Sequence, residues 1–214
     1  PVADHTHLVF DLDGGTHQLR FRDIRRFGSA ELFPSAAAVA DYLADKLGPE
    51  PDALDPAGFA AAVRASKRTL KAILLDQTVV AGVGNIYADE ALHRAGLHPE
   101  RRGPTLTGAE VDRLRAAVTA VIAEAIGKRG STIRDYVGGS GLRGGFQDEF
   151  RAYGRTGEPC VGCRTAIAVV RVAGRSSHYC PTCQPPGEER GMRSEDRAKA
   201  GRPRERRGPR PPDR

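Results

Sequence analysis

The stretch CVGCRTAIAVVRVAGRSSHYCPTC (residues 160–183) carries the strongest structural signal in the chain. Two Cys-x-x-Cys pairs, Cys160/Cys163 and Cys180/Cys183, are separated by sixteen residues, and these are all four cysteines of the sequence. Thiolates in two such pairs can converge tetrahedrally on one zinc ion, with Zn–S distances of about 2.3 Å. A site with four protein ligands is closed, so we predict one structural zinc ion that does not activate water.

The sixteen residues between the pairs predict a β-hairpin with Ala173-Gly174-Arg175 at its turn. An arginine at the tip of a zinc-pinned hairpin suits a contact with DNA. Zinc ribbons also serve as protein-binding modules, so the spacing alone leaves both functions open. Disulfides are disfavoured because they persist in oxidising compartments, and the first residues show no export-signal pattern.

Residues 34–150, upstream of the cysteines, have the patterns of a helical domain. Helix starts are predicted at Ser35, Asp55-Pro56, Lys67, Asn85 and the capping box Thr107-x-x-Glu110, and the segment from Lys67 is expected to continue to Leu75. The segment that Ser35 begins should end near Gly48. In VVAGVGNIYADEAL (79–92), glycines precede a helix whose unpaired N-terminal amides suit a phosphate group. Alone, a glycine turn before a helix is a weak functional signal.

Residues 1–33 predict a second hairpin, with strands 7–12 and 16–22 around Asp13-Gly14-Gly15. Leu19 and Phe21 should face a core. A lone two-stranded hairpin is marginal in water, and the next strand pattern comes only at residue 165, so we expect these residues to be the C-terminal part of a larger sheet domain. Just beyond lies RDIRRFG (22–28), whose arginine–aromatic pair could prop open a base stack or, alternatively, consist of a core phenylalanine and solvated arginines.

The charge of the chain is unevenly distributed. The net charge is +6, and the positive excess lies in residues 151–214. Residues 185–214 are rich in Arg, Pro and Gly, which predicts a disordered basic tail. The local positive potential of such a segment suits a polyanion such as nucleic acid, although a solvated charged surface has the same composition.

The apolar residues of the sequence do not indicate a membrane span. Since no apolar run approaches the roughly 20 residues that span a bilayer, we expect a soluble, cytoplasmic protein without membrane association.

Together, the motifs resemble one family along about residues 4–184. They occur in one order: HTHLVF (5–10), DIRRFG (23–28), LGPEP (47–51), KAILLDQTVVAGVGNIYADEAL (71–92), GLHP (96–99), GGFQ (144–147), YGRTGEPC (153–160) and VAGRSSHYCPTCQ (172–184). This set resembles formamidopyrimidine-DNA glycosylase, of the formamidopyrimidine/endonuclease VIII family. The resemblance implies an α+β fold and a monomer that binds double-stranded DNA carrying oxidised or abasic lesions.

The resemblance also assigns domains. It implies that residues 1–33 are the C-terminal part of a β-sandwich domain and that residues 34–150 form a helix–two-turn–helix DNA-binding domain. Residues 151–184 would form a β-hairpin zinc finger, followed by the tail, 185–214. The activity that it implies is base-excision repair by a DNA glycosylase/AP lyase that removes oxidised purines, 8-oxoguanine and formamidopyrimidines.

Several family contacts can be placed by resemblance. The implied DNA-binding residues are His5, Arg25, Phe27, Lys67, Lys71, Asn85 and Arg175. Arg25 and Phe27 match the pair that fills the space left by an everted lesion, and Ile24 stands where the family usually has proline. Arg175 matches an arginine that binds phosphate and is assigned as a proton donor in δ-elimination. The segment SGLRGGF (140–146) resembles the loop that closes over flipped 8-oxoguanine.

The family nucleophile is the amino group of an N-terminal proline followed by glutamate. Here Pro1 is followed by Val2 and matches a position late in the sandwich domain, shortly before the paired histidines. We therefore expect that Pro1 is not the catalytic proline, that the Pro-Glu pair and a catalytic lysine are missing, and that the 214 residues alone are inactive. The alternatives are a catalytically silent zinc-finger DNA-binding protein and a zinc-ribbon module that binds protein.

Overall fold

The structure is a computed structural model that describes residues 2–24, 26–133 and 143–187. The chain divides into two compact units, Pro1–Leu43 and Ala44–Arg214, and each is described by itself. No helix within the described residues is long and apolar enough to cross a membrane.

The unit Pro1–Leu43 contains the predicted N-terminal hairpin. Strands β1 (Thr6–Leu12) and β2 (His17–Arg22) are antiparallel, with Phe10 opposite Leu19. The turn between them uses positive φ angles at Gly14 and Gly15, as their lack of a side chain allows. Of the two side chains expected to face a core, Leu19 is 58% exposed and Phe21 is half-buried, so the described residues do not provide a core that covers both.

Helix α1 (Ala36–Ala44) follows the hairpin. The hydroxyl of Ser35 accepts a hydrogen bond from the Ala38 amide at 3.2 Å, which agrees with the predicted cap. The prediction that this segment would end near Gly48 was wrong, since the helix stops at Ala44.

In the described residues of the unit Ala44–Arg214, four further α-helices are present: α2 (Pro56–Ala65), α3 (Leu70–Leu74), α4 (Asn85–Ala95) and α5 (Gly108–Gly127). The predicted caps at Asp55 and at the Thr107/Glu110 capping box are confirmed. Two boundaries differ from the prediction. Thr69 is the N-cap of α3, so Lys67 precedes the helix, and Gly84 is the N-cap of α4, so Asn85 is its first helical residue.

The core of this unit lies among these helices. Its fully buried side chains include Leu70, Ile73, Leu74, Leu92, Leu114, Val121 and Phe146. Helix α2 closes one side of the core against the turn at Gly103–Thr105. Because Gly103 has no side chain, its segment lies very close to α2. A Cβ atom on Gly103 would lie 1.8 Å from the Val63 carbonyl oxygen.

Strands β3 (Ala168–Val172) and β4 (Arg175–Tyr179) form the C-terminal hairpin. Val172 pairs with Arg175, so the loop is the dipeptide Ala173-Gly174, with φ of 49° and 75°. Positive φ at both loop residues is the geometry of a type I′ turn, whose twist matches that of the strands. The predicted hairpin is confirmed, and Arg175 is the first residue beyond its tip.

The contact at Gly103 leads to a stability prediction. We expect Gly103→Ala to lower the free energy of unfolding by about 3 kcal/mol, because the added methyl group meets backbone atoms that cannot yield. Gly127→Ala is the matched control, since a Cβ atom there meets nothing within 4 Å. That substitution should stabilise the chain by about 0.5 kcal/mol through helix propensity. Urea unfolding of both variants measures the difference, and equal effects would contradict the close-approach explanation.

Candidate nucleic-acid interface and zinc centre

The four cysteines converge as their spacing predicted. Their Sγ atoms all lie within 4.8 Å of one another, with Cys160 and Cys183 at 3.9 Å and Cys163 and Cys180 at 3.3 Å. Tetrahedral zinc with Zn–S bonds of about 2.3 Å requires S–S separations of about 3.8 Å. The donor set and its geometry therefore fit one structural zinc ion.

Backbone groups around the cysteines support the metal site. The amides of Gly162 and Cys183 donate to the sulfur atoms of Cys160 and Cys180, each at 3.4 Å. The apolar core of the finger is small, with Cys160, Ile167 and Cys180 as its buried members. The metal must therefore supply most of the cohesion of this region.

Two buried carboxylates on α4 fix the hairpin to the helices. Asp89 Oδ2 accepts hydrogen bonds from the backbone amide and the Nδ1–H of His178 on β4, both at 2.9 Å. Asp89 Oδ1 forms an ion pair with Lys71, and both side chains are completely buried. Burial lowers the pKa of Lys71, and the Asp89 carboxylate opposes that shift. Lys71 Nζ also donates to the Asn85 carbonyl at 2.8 Å.

The second buried carboxylate, Glu90, holds the segment that leads into the zinc finger. It accepts hydrogen bonds from the backbone amides of Arg151, Ala152 and Tyr153, each at 2.9 Å. Beyond the last cysteine, the carboxamide of Gln184 accepts from the Cys180 amide at 2.9 Å and donates to the Leu97 carbonyl at 2.8 Å. Hydrogen bonds therefore hold the finger at both of its ends: the segment before it is bound to Glu90 on α4, and Gln184 after it is bound to Leu97, just beyond α4.

An open cleft of about 570 Å³ lies where the N-terminus of α4 meets the hairpin tip. Asn85, Arg175 and Arg68 line it, and Asn85 Nδ2 donates to the Ser176 carbonyl at 3.1 Å. The first amides of an α-helix lack intrahelical acceptors and carry partial positive charge. Two guanidinium groups and a helix N-terminus therefore share one cleft, which suits a phosphate group.

Gln77 and Asp76 also line this cleft, and each holds a neighbouring group in place. The Gln77 carboxamide accepts from the Gly82 amide at 2.9 Å and donates to the Val83 carbonyl at 3.1 Å, which holds the loop before α4. Arg68 forms a 2.7 Å ion pair with Asp76. Hydrogen bonds from the hydroxyl and amide of Thr78, together with Arg68, lower the pKa of Asp76 to about 2. Asp76 is therefore ionised at neutral pH and holds Arg68 at the cleft.

The structure brings two of the predicted DNA contacts, Asn85 and Arg175, to this single cleft. Lys71 requires a correction, because its ammonium group is fully buried beneath the cleft, where it cannot touch DNA directly. Lys67 is exposed. In the other unit, His5 is exposed with φ of 64°, and the Phe27 side chain is 83% exposed.

Some of the predicted residues lie outside the described residues. These are Pro1, Arg25 of the predicted wedge, residues 140–142 of the segment matched to the lesion loop, and residues 188–214 of the predicted tail. The end of that segment is described: the Gly144 amide donates to the Thr132 hydroxyl at 2.7 Å, and Phe146 is buried.

Sequence reasoning missed Arg68 and the buried carboxylates Asp89 and Glu90. A signal for the carboxylates was present, since two acidic residues lie on α4 among the apolar side chains of Ala88, Ala91 and Leu92. Buried acidic groups require partners, so this pattern indicates an internal ion pair or an acceptor for backbone amides. For Arg68 the sequence offered no distinguishing signal, because an exposed arginine before a helix is common.

Comparison with protein families matches two segments. Residues 47–137 match the formamidopyrimidine-DNA glycosylase H2TH domain, and residues 157–186 match the zinc finger found in FPG and IleRS. A formamidopyrimidine-DNA glycosylase of Geobacillus kaustophilus is 47% identical over 186 residues, which cover 86% of this chain and 68% of the relative. The enzyme of Desulforamulus reducens is 46% identical over 186 residues, covering 86% and 67%. The chain thus spans about two thirds of the length of these relatives.

Solved structures of similar proteins include complexes with damaged DNA. A Lactococcus lactis FPG mutant bound to Fapy-dG-containing DNA is 38% identical, with a TM-score of 0.79, and the match covers 87% of this chain and 68% of that one. The L. lactis protein bound to abasic-site DNA gives a TM-score of 0.78 at the same identity and coverage. MutM (FPG) of Thermus thermophilus is 43% identical, with a TM-score of 0.76 and coverage of 87% and 71%.

Removal of the metal should unfold the finger selectively. After chelation of zinc, we expect the amides of β3 and β4 to lose protection from hydrogen exchange, because their buried core is too small to hold the hairpin. The amides of α5 should stay protected by the larger helical core. Exchange measured by NMR before chelation, after it, and after zinc is restored tests this. A hairpin that stays protected without metal would contradict it.

The buried ion pair leads to a coupling prediction. Asp89→Asn and Lys71→Met should each lower the free energy of unfolding by about 3 kcal/mol, because each leaves a buried partner uncompensated. The double variant should lose clearly less than the sum of the two. Urea unfolding of the zinc-loaded chains measures this coupling. Glu158→Gln is the control, since Glu158 is 56% exposed in its ion pair with Arg155 and should change stability by less than about 1 kcal/mol. Additive losses at Asp89 and Lys71 would contradict the pairing.

Proposed function

The chain belongs to the formamidopyrimidine-DNA glycosylase family, and from this premise we propose that it serves base-excision repair as a DNA glycosylase/AP lyase for oxidised purines. The observation that carries the proposal is the cleft in which the N-terminus of α4, Asn85 and Arg175 converge. Its substrates would be 8-oxoguanine and formamidopyrimidines in duplex DNA. The Fapy-dG and abasic-site DNA in the complexes of the L. lactis proteins support this class of substrate.

The cleft would bind the phosphate backbone beside a lesion. A phosphate group there would accept hydrogen bonds from the first amides of α4 and from the guanidinium of Arg175. Arg68 would be a further donor, although its ion pair with Asp76 balances much of its charge. Such contacts fix the position of the duplex without reading its sequence. This suits an enzyme that must find a damaged base in any sequence context.

Access to a damaged base requires that the nucleotide be turned out of the stack. We propose that Arg25 and Phe27 fill the space that it leaves, with His5 and Lys67 as further backbone contacts and residues 140–146 closing over the base. The high exposure of Phe27 supports the role of a wedge, which must be accessible to insert between bases. Residues 1–33 would then recognise the lesion, and residues 34–150 and 151–184 would hold the DNA. The tail, 185–214, would add sequence-independent affinity.

Arg175 would also act after base removal. In the family, a covalent Schiff base between the nucleophilic amine and the sugar permits β- and δ-elimination, and an arginine at this position is assigned as a proton donor. The exposed position of Arg175 at a metal-fixed hairpin tip supports contact with the phosphate next to the sugar. Zinc supplies structure here, and the residues of the hairpin supply the contacts.

The amine of Pro1 is not the nucleophile in this proposal. Pro1 is followed by Val2, whereas the catalytic proline of the family is followed by glutamate, and by resemblance Pro1 matches a position late in the sandwich domain, shortly before the paired histidines. A second candidate function is lesion-dependent DNA binding without catalysis, which the cleft formed by Asn85 and Arg175 would support by itself.

The role of Arg175 can be tested by DNA binding. We expect Arg175→Ala to weaken binding to a duplex with an abasic-site analogue by about tenfold, because a charge-assisted hydrogen bond to phosphate is lost. The slope of log Kd against log salt concentration should fall by about 1. Fluorescence anisotropy over a range of salt concentrations measures both quantities.

The control for that measurement is Arg171→Ala. Arg171 is an exposed arginine of the same hairpin that does not line the cleft, so its loss should change the affinity by less than about threefold. Equal losses for the two variants would mean that only the overall charge of the hairpin matters.

Borohydride trapping tests the proposal about Pro1. The full chain is incubated with duplex DNA carrying 8-oxoguanine opposite cytosine, and a Schiff base would be reduced to a stable protein–DNA adduct. We expect binding to the abasic-site analogue without an adduct. A trapped adduct would show that an amine within these 214 residues performs the attack, and mapping it by peptide mass would identify that amine.

A further inference from the structure

His93 is a buried histidine on α4 that faces the zinc centre. Its side chain belongs to the helical unit, and its Nε2 atom lies 3.4 Å from Sγ of Cys160, at the edge of the metal site. We propose that His93 donates a hydrogen bond to the zinc-bound thiolate of Cys160 and is a positioning residue of the metal centre. The spacing of the cysteines does not predict this residue, because it lies 67 positions before the sulfur that it contacts.

The surroundings of the imidazole ring determine which nitrogen carries the proton. A zinc-bound thiolate is a hydrogen-bond acceptor, so Nε2 must carry the proton to make a favourable contact. Nδ1 is buried and has no hydrogen-bond partner in the part of the chain that the structure describes. With the proton on Nδ1, a buried donor would be unpaired and the Nε2 lone pair would face a negatively charged sulfur. The Nε2–H tautomer avoids both costs and leaves only the Nδ1 lone pair unpaired.

The hydrogen bond from His93 would stabilise the thiolate of Cys160. Four thiolates around Zn²⁺ leave a net charge of −2, and hydrogen bonds to sulfur reduce the electron density that this charge places there. Cys160 accepts an amide N–H from Gly162 and, in addition, the imidazole N–H of His93. Without His93, the Cys160 thiolate should be protonated or displaced more readily, and zinc should leave faster.

His93 would also connect the metal to the cleft mechanically. Asp89 and Glu90 on the same helix bind the hairpin and the segment before the finger. His93, near the C-terminal end of α4, adds a contact to the metal ligand itself. A single helix thus presents its N-terminus to the cleft and its C-terminal turn to the zinc centre.

The alternative is that His93 only fills space, in which case an aromatic ring without the donor should serve equally well. Two substitutions separate these explanations in the zinc-loaded full chain. His93→Phe keeps an aromatic ring and removes the N–H group. His93→Gln retains an amide N–H near the place of Nε2.

The readout is the rate at which zinc passes to a chromophoric chelator. We expect His93→Phe to release zinc about tenfold faster than the unchanged chain, since loss of a partner of a metal ligand typically weakens binding by that factor or more, and His93→Gln to stay within about threefold. His98→Phe is the control, because His98 is also buried but its ring contacts Tyr179 instead of a cysteine sulfur. Release from His93→Phe at the rate of the unchanged chain would overturn the proposal.

A second measurement needs no substitution and so remains decisive if a variant fails to fold. Long-range ¹H–¹⁵N correlation spectra of the zinc-loaded chain report which imidazole nitrogen carries the proton. We expect Nε2–H for His93 and, after replacement of zinc by ¹¹³Cd, a scalar coupling between the metal and this proton. A proton on Nδ1 would rule out the hydrogen bond.

Discussion

The buried carboxylates of Asp89 and Glu90 are the constraint on which the interface depends. Burial of two adjacent charges on one helix would be strongly unfavourable without partners. Asp89 is compensated by Lys71 and His178, and Glu90 by three consecutive backbone amides that begin at Arg151. Because these bonds reach three different segments, at Lys71, His178 and residues 151–153, the hairpin cannot shift along α4 without leaving a charge unpaired. The relative positions of Asn85 and Arg175 follow from this restriction.

Shape and position of the finger have separate physical origins. The four cysteines determine the shape through the metal, because the apolar core of the finger is too small to determine it. The carboxylates of α4, together with Gln184, determine where this shape lies against the helices. The hairpin tip that carries Arg175 requires both. Under the proposed function, a metal with no open coordination position would therefore support the binding of a phosphate group at a distance from it.

The features that the sequence predicted are those that neighbouring residues decide. The Cys-x-x-Cys pairs, the cap at Asp55, the Thr107/Glu110 capping box and the turn at Gly174 each depend on a few adjacent positions. The error at Lys71 has the opposite cause. A lysine has the same local pattern whether it reaches solvent or an internal carboxylate, and its partner Asp89 is 18 residues away. His178 and Asp89 are 89 residues apart, beyond the reach of any periodicity argument.

Under the proposed function, affinity and discrimination would come from different parts of the chain. Contacts with phosphate supply most of the sequence-independent affinity of DNA-binding proteins and carry no information about the base. The cleft belongs to the unit with the large helical core, where ion pairs and the metal fix its groups in place. Phe27, the proposed wedge residue, belongs to the other unit, whose hairpin exposes apolar side chains such as Leu19. A rigid cleft tolerates any sequence, whereas a wedge must test each base pair for weakened stacking. Separate units allow each requirement to be met without compromising the other.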